Sequence, residues 1–214
     1  IDFAASSAVF TTASKDRTIK VWDAVTLANL QTLKGHKSYV LGVDISPDSS
    51  KIASVGMDNR LIIWDAATGE KIKDKADSHY RAVNQVGFSA DGKTVFTASS
   101  DAIIKAWDVE SMECLSTLKG HVNEVLSIAV SPDGKSILSA GRDKLLYCFD
   151  IKTGEKTATV ELPNNIYISG IEFSADGSSV FAADKSGDIV CVDCSEMKIV
   201  KQNKAEPVLS MSSF

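Results

Sequence analysis

The stretches Thr18–Asp23 (TIKVWD), Leu61–Asp65 (LIIWD), Ile103–Asp108 (IIKAWD) and Leu145–Asp150 (LLYCFD) decide the fold. They place Trp22, Trp64, Trp107 and Phe149 at intervals of 42, 43 and 42 residues, and IVCVD brings Val192 to the same place 43 residues later. A fixed period of this size means stacked copies of one supersecondary unit. A second landmark keeps the same phase: SPD at Ser46, SAD at Ser89, SPD at Ser131 and SAD at Ser174 are spaced 43, 42 and 43 residues apart.

Between these landmarks the chain runs in short apolar or alternating segments such as VLGVDIS, KIASVG and LIIWD, each closed by a turn cluster such as SPDG or ATGE. That pattern reads as strands, about four to a unit, and no segment carries the helical period. Four short antiparallel strands at this spacing make a propeller blade, which buries its faces only against neighbouring blades. The prediction is an all-β chain of five four-stranded antiparallel blades forming one domain over residues 1–214. The repeats fall approximately at 1–33, 34–76, 77–118, 119–161 and 162–204, and residues 205–214 begin the next one. Phe3, Ile45, Phe88, Val130, Phe173 and Phe214 share one repeat position. Closure of five blades by a strand from Val208 to Phe214 is one expectation; a larger ring of which this chain is a part is the preferred one.

Composition narrows the function classes. The net charge of −5 argues against nucleic-acid binding by bulk charge, which needs clustered Lys and Arg to release counterions. The longest uncharged run, Phe3–Ser14, is too short for a membrane-spanning helix, which needs about 20 apolar residues. Four cysteines in 214 residues lack the density of a disulfide-stapled secreted scaffold and favour a reducing, intracellular setting, cytoplasmic or nuclear. Cys191 and Cys194 form a C-x-x-C, but no second pair stands near it in sequence; Cys191 reads as a packed strand residue, and no metal site is expected. Phosphate-loop, dinucleotide, zinc-protease and nucleophile-elbow motifs are absent, so no cofactor and no small-molecule substrate are expected.

The Trp-Asp pairs at Trp22-Asp23, Trp64-Asp65 and Trp107-Asp108, with the Gly-His pairs at Gly35-His36 and Gly120-His121, make this chain resemble the WD-repeat β-propellers over essentially its whole length. His79 follows Ser78 in the equivalent place. All three histidines thus share a repeat position, and each is followed at fixed distances by a hydroxyl, an Asp and an aromatic residue. The sets are His36, Ser54, Asp58, Trp64; His79, Thr97, Asp101, Trp107; and His121, Ser139, Asp143, Phe149. Ser, His and Asp invite a catalytic reading, yet an enzyme needs one site and this constellation recurs with every repeat. The resemblance implies an architectural tetrad that ties the loop before a blade to its second and third strands. The first repeat offers Thr12, Asp16 and Trp22 without a histidine. Phe149 has no N–H to donate, so the fourth network is expected to be shorter, with Ser139 needing another partner.

With its histidines assigned to structure, the chain reads as no enzyme but as a protein-interaction scaffold of an intracellular multiprotein complex. The resemblance points to the channel rim on one face as the docking surface for a protein or peptide. Carried onto this sequence, that rim comprises Lys15, Tyr39, Leu41, Met57, Asn84, Ser100, Glu124, Leu126, Arg142, Tyr167 and Lys185. A regulatory or substrate-recognition module of a ligase or kinase is the alternative; an RNA or chromatin adaptor stands third. The fifth repeat has Asn164, Ala182, Ser186 and Val192 at the four tetrad positions and so lacks the network. Its amides are expected to exchange with solvent faster than those of the third repeat; equal protection in the two is the contrary result.

Overall fold

A computed structural model describes residues 1–3, 8–163, 168–185 and 187–203. These form five four-stranded antiparallel sheets in which strand order follows chain order. The first blade contains β1 (Asp2–Phe3), β2 (Val9–Ala13), β3 (Thr18–Asp23) and β4 (Asn29–Lys34); the second contains β5 (Val40–Ile45), β6 (Lys51–Gly56), β7 (Leu61–Asp65) and β8 (Lys71–Lys75). The third has β9 (Val83–Phe88), β10 (Thr94–Ser99), β11 (Ile103–Asp108) and β12 (Cys114–Lys119). The fourth has β13 (Val125–Val130), β14 (Ser136–Gly141), β15 (Leu145–Asp150) and β16 (Lys156–Glu161), and the fifth has β17 (Ile168–Phe173), β18 (Ser179–Asp184), β19 (Ile189–Asp193) and β20 (Lys198–Asn203). Residues 208–214, the expected closing strand, lie outside the described residues.

Local chemistry sets the turns. In the SPD turn, the Ser46 hydroxyl donates to Asp48 Oδ1 (2.6 Å) and accepts from the Lys51 amide (2.9 Å), so two side chains close the loop between β5 and β6. The same bonds recur at Ser89 and Asp91, Ser131 and Asp133, and Ser174 and Asp176. At the far end of the third strand, the Asp of each Trp-Asp pair accepts from amides two and three residues on, as Asp65 Oδ1 does from Ala67 (3.0 Å) and Thr68 (2.8 Å). This is an Asx turn, which starts the reversal into the fourth strand. A register shift precedes the aromatic position in every pairing of third and fourth strands, a recurrent bulge.

The core lies between blades. Val21 and Leu33 of the first blade pack with Ile45 and Trp64 of the second, and Ile63 of the second packs with Val86 and Trp107 of the third. Ile104 and Phe96 of the third meet Ile137 and Phe149 of the fourth, and Leu146 and Cys148 of the fourth meet Val180 and Val192 of the fifth. Polar clamps cross the same interfaces near the centre: the Ile45 amide donates to Asp2 Oδ2 (2.8 Å), the Phe88 amide to Asp44 Oδ2 (2.6 Å) and the Ile171 amide to Ser127 Oγ (3.2 Å). The first strands of the five blades converge on a cavity of about 200 Å³ that Asp2, Asp44, Val86, Ala129 and Glu172 help to line. Burial, with the nearby charge of Asp2, pushes the Asp44 carboxyl well above the ordinary carboxylate range.

The two end faces differ from the internal ones. Phe3 is 66% exposed where Ile45 and Phe88 are 8% and 6%, and Ile189 is 43% exposed where Ile104 is 1%. Among the described residues no blade covers either end face. The same repeat position therefore carries different energetic weight in different blades. Truncation of a buried aliphatic loses its transfer free energy and leaves a cavity, about 2 to 5 kcal/mol. Ile104→Ala is expected to lower stability by that amount in denaturant titration, and Ile189→Ala by less than half of it; equal losses would contradict the assignment of the core to the inter-blade faces.

Candidate functional site

The loops that carry the histidines are built from their buried side chains outward. His36 Nδ1 lies 3.0 Å from the Asp58 carboxylate, its Nε2 lies 2.8 Å from Ser54 Oγ, and Trp64 Nε1 donates to the same oxygen at 2.8 Å. In the next blade His79 reaches Asp101 (2.9 Å) and Thr97 (2.8 Å), and Trp107 Nε1 donates to Thr97 Oγ1 at 2.9 Å. A carboxylate only accepts, so Nδ1 carries the proton, Nε2 accepts from the hydroxyl, and the hydroxyl oxygen takes the indole N–H. Each Asp also accepts the amide after the histidine: Lys37 on Asp58 (2.7 Å), Tyr80 on Asp101 (3.1 Å) and Val122 on Asp143 (3.0 Å). The carboxylate thereby pins the loop backbone as well as the ring.

The fourth blade departs at the aromatic. His121 reaches Asp143 (2.9 Å) and Ser139 (2.8 Å), but the aromatic beside them is Phe149, and the Tyr147 ring packs 4.5 Å from the imidazole. The first blade holds only the outer link, Trp22 Nε1 to Thr12 Oγ1 at 2.8 Å, with Asp16 accepting from Thr18 instead of a histidine. In the fifth, Ala182 and Val192 are fully buried apolar residues, while 164 and 186 lie outside the described residues. Ser54, Thr97 and Ser139 are all 0% exposed, so no substrate carbonyl can approach these hydroxyls. Among the described residues no cluster of three His, Cys, Asp or Glu side chains is set to hold a metal ion, and no helix is long and apolar enough to cross a membrane.

Around these anchors the structure sorts the rim residues. Lys15, Tyr39, Met57, Arg142 and Lys185 are exposed, and Leu41, Glu124 and Leu126 are half-buried. Arg142 Nε pairs with Glu124 at 2.9 Å, joining two of them at the surface. Asn84 and Ser100 are also brought together at 3.1 Å, but the Asn84 amide donates to Val125 O (2.7 Å), which commits it to clamping the third blade to the fourth. Tyr167 lies outside the described residues. Sequence reasoning passed over the residue directly after each histidine. Tyr80 is 87% exposed and Val122 85%, with Lys37 exposed in the same place. The amide of this residue is spent on the buried Asp, so its side chain projects outward; the signal was the histidine position itself, read one residue on.

This repeated geometry is matched by a family model, WD domain, G-beta repeat, over residues 1–23, 28–65, 71–108 and 112–150. The chain belongs to the WD-repeat family. Among its relatives, RACK1y, a small ribosomal subunit protein of Oryza sativa subsp. japonica, is 35% identical over 51% of this chain and 32% of its own length. Myosin heavy chain kinase C of Dictyostelium discoideum is 34% identical over 52% of this chain and 14% of its own length. The COMPASS component SWD3 of Saccharomyces cerevisiae is 32% identical over 45% of this chain and 33% of its own length. The aligned part of this WD-repeat chain thus spans a third or less of each of these relatives.

Charge states in the tetrads follow from burial and bonding. Burial pushes the Asp58 and Asp101 carboxyls up, but their histidines and the amides of Lys37 and Tyr80 outweigh it and leave both below the ordinary value of 3.8. Burial also dominates at His121 and holds its imidazole below 6.5 against the pull of Asp143. A group that binds its proton more weakly folded than unfolded loses stability as the pH falls. For His121 that loss begins as the pH drops below about 6.5; for the carboxyls it begins only below about 4. Protonation of the buried Asp44 acts in the opposite sense over the same range, so the reading is the difference between proteins: His121→Gln is expected to gain melting temperature relative to wild type as the pH falls from about 7 to about 5; a difference that stays constant with pH would contradict the role given to His121.

Proposed function

We propose that this WD-repeat chain is a non-catalytic interaction scaffold within a multiprotein complex, docking a protein or peptide across the face that carries the histidine loops. One observation carries the reading: Tyr39, Met57, Tyr80 and Val122 expose 43%, 49%, 87% and 85% of their surface at one end of the blades, on loops anchored by buried tetrads. Large side chains held on pre-ordered backbone lose little entropy on binding, and Tyr and Arg are enriched among residues that dominate interface energy. Lys37 and Arg142 are exposed on the same loops, and Lys15 and Lys185 on the equivalent turns of the first and fifth blades; all four suit acidic groups on the partner. The Arg142–Glu124 pair is a surface pair, with 55% of the arginine side chain exposed, and exchanges partners at small cost.

A second reading, a regulatory or substrate-recognition part of an enzyme, is favoured by the similarity to myosin heavy chain kinase C. Both readings use the same face. Crosslinked capture with the wild-type chain is expected to yield a partner that Tyr80→Ala and Arg142→Ala lose, with melting temperatures within a few degrees of wild type. Glu110→Ala, on the turn between third and fourth strands at the opposite face, is expected to retain it. Loss with the Glu110 variant alone would move the site to that other face, and unfolding of Tyr80→Ala would mark that residue as structural.

A further inference from the structure

The repeat frame exposes one interface whose chemistry differs from the others. At each junction, the residue before the aromatic position of one blade shares an apolar cluster with the residue two after the aromatic position of the next. The first three junctions hold Val21 with Ala66, Ile63 with Val109, and Ala106 with Ile151. The fourth holds Cys148 with Cys194. Sequence spacing pairs Cys194 with Cys191 instead, but these two stand three residues apart across the end of β19. Cys148 is buried in the junction while Cys191 sits on the strand face turned away from it, among the exposed Phe181 and Ile189.

Cys148 and Cys194 line one cleft of about 230 Å³, together with the thioether of Met197 and the apolar side chains of Leu138 and Phe173. The corresponding cleft at the first junction is lined by Val21 and Ala66 and contains no sulfur. Asp133 and Asp176 stand at the same cleft, but both carboxylates accept hydrogen bonds within their own turns, from Ser131 and Lys135 and from Ser174 and Ser178. Three sulfur-bearing residues from two blades, Cys148, Cys194 and Met197, thus share one cluster and line one cleft. Packed sheets lie about 10 Å apart, whereas a disulfide needs Cα atoms within about 7 Å. An ion between two thiolates spans a wider separation than a disulfide, because it adds two metal–sulfur bonds, each about 2.3 Å for zinc.

We propose that Cys148, Cys194 and Met197 form an inter-blade site for a soft monovalent metal ion of the Cu(I) class, held by two thiolates and a thioether. Thiolate and thioether donors select such ions over Mg²⁺ or Ca²⁺, which require oxygen. On binding, each thiol gives its proton to solvent and three sulfur–metal bonds form, two to the thiolates and one to the neutral Met197 thioether, so one positive ion replaces two protons with no electron transferred. Because both thiols lose their protons on binding, affinity rises with pH. A metal across this junction ties the fourth blade to the fifth, the blade whose tetrad positions 182 and 192 are apolar.

The test is anaerobic titration of the reduced chain with Cu(I) against a chromophoric Cu(I) chelator, with maleimide labelling of each cysteine read by mass spectrometry. The expected result is one ion per chain, with labelling of Cys148 and Cys194 slower with Cu(I) than in the metal-free chain and labelling of Cys114, which is exposed, the same in both. Cys148→Ser and Cys194→Ser are expected to weaken binding by more than about 100-fold, beyond the loss typical of outer-shell changes, and Met197→Leu by about tenfold. Cys114→Ser and Cys191→Ser are expected to bind as wild type. Protection of Cys191 with Cys194 while Cys148 labels would overturn the proposal in favour of the sequence-adjacent pair; so would binding no tighter than to free cysteine, or a Cys148–Cys194 disulfide formed without metal uptake. Should the serine variants misfold, the change in labelling of the wild-type chain between its metal-free and Cu(I)-loaded states decides, and no change at Cys148 and Cys194 would overturn the proposal.

Discussion

Burial of one blade face against the next is the interaction on which the rest of this molecule depends. A four-stranded sheet of this size has two apolar faces and no core of its own. Trp64, Trp107, Phe149 and Val192 are each buried against the preceding blade, whereas Trp22, with no described blade before it, is only half-buried. The gradient from internal to end faces shows that stability here is a sum over junctions. An identical repeat position contributes strongly where a neighbour covers it and weakly where none does.

That face-to-face packing creates a polar problem, which the tetrads solve. Loops joining the outer strand of one blade to the inner strand of the next bring backbone amides and a histidine ring into a nearly dry environment, where an unpaired group costs about 1 to 3 kcal/mol. Asp58, Asp101 and Asp143 each accept both an imidazole and an amide. The consequence reaches function: the residue whose amide is held must turn its side chain to solvent. Lys37, Tyr80 and Val122 are presented by a rigid loop for this reason. The architectural role and the proposed docking role thus meet in one segment without sharing any side chain.

Much of this was legible in the primary structure, because period and phase survive divergence. The spacing of Trp22, Trp64, Trp107, Phe149 and Val192 specified five units, and the turn motifs specified where strands reverse. Side-chain identities at the histidine, hydroxyl, Asp and aromatic positions specified which polar groups meet. Asn84 shows the limit: it was legible as a rim residue, but its donation to Val125 O links residues 41 apart across two blades. Tyr80 shows another, since exposure at that position follows from what its amide does and from no property of the tyrosine.

The sequence by itself determined the unit, its number of copies and the partners within each tetrad, because these depend on separations that a strand ladder converts directly into contacts. Only the tertiary structure decided what faces what between blades: which apolar positions are truly buried, which candidate rim residues are exposed, and that Cys194 shares a junction with Cys148. The physical reason is that facing residues at a junction lie a full repeat apart in the chain. Their pairing is set by the stagger and packing of two sheets, a relation that no local pattern encodes.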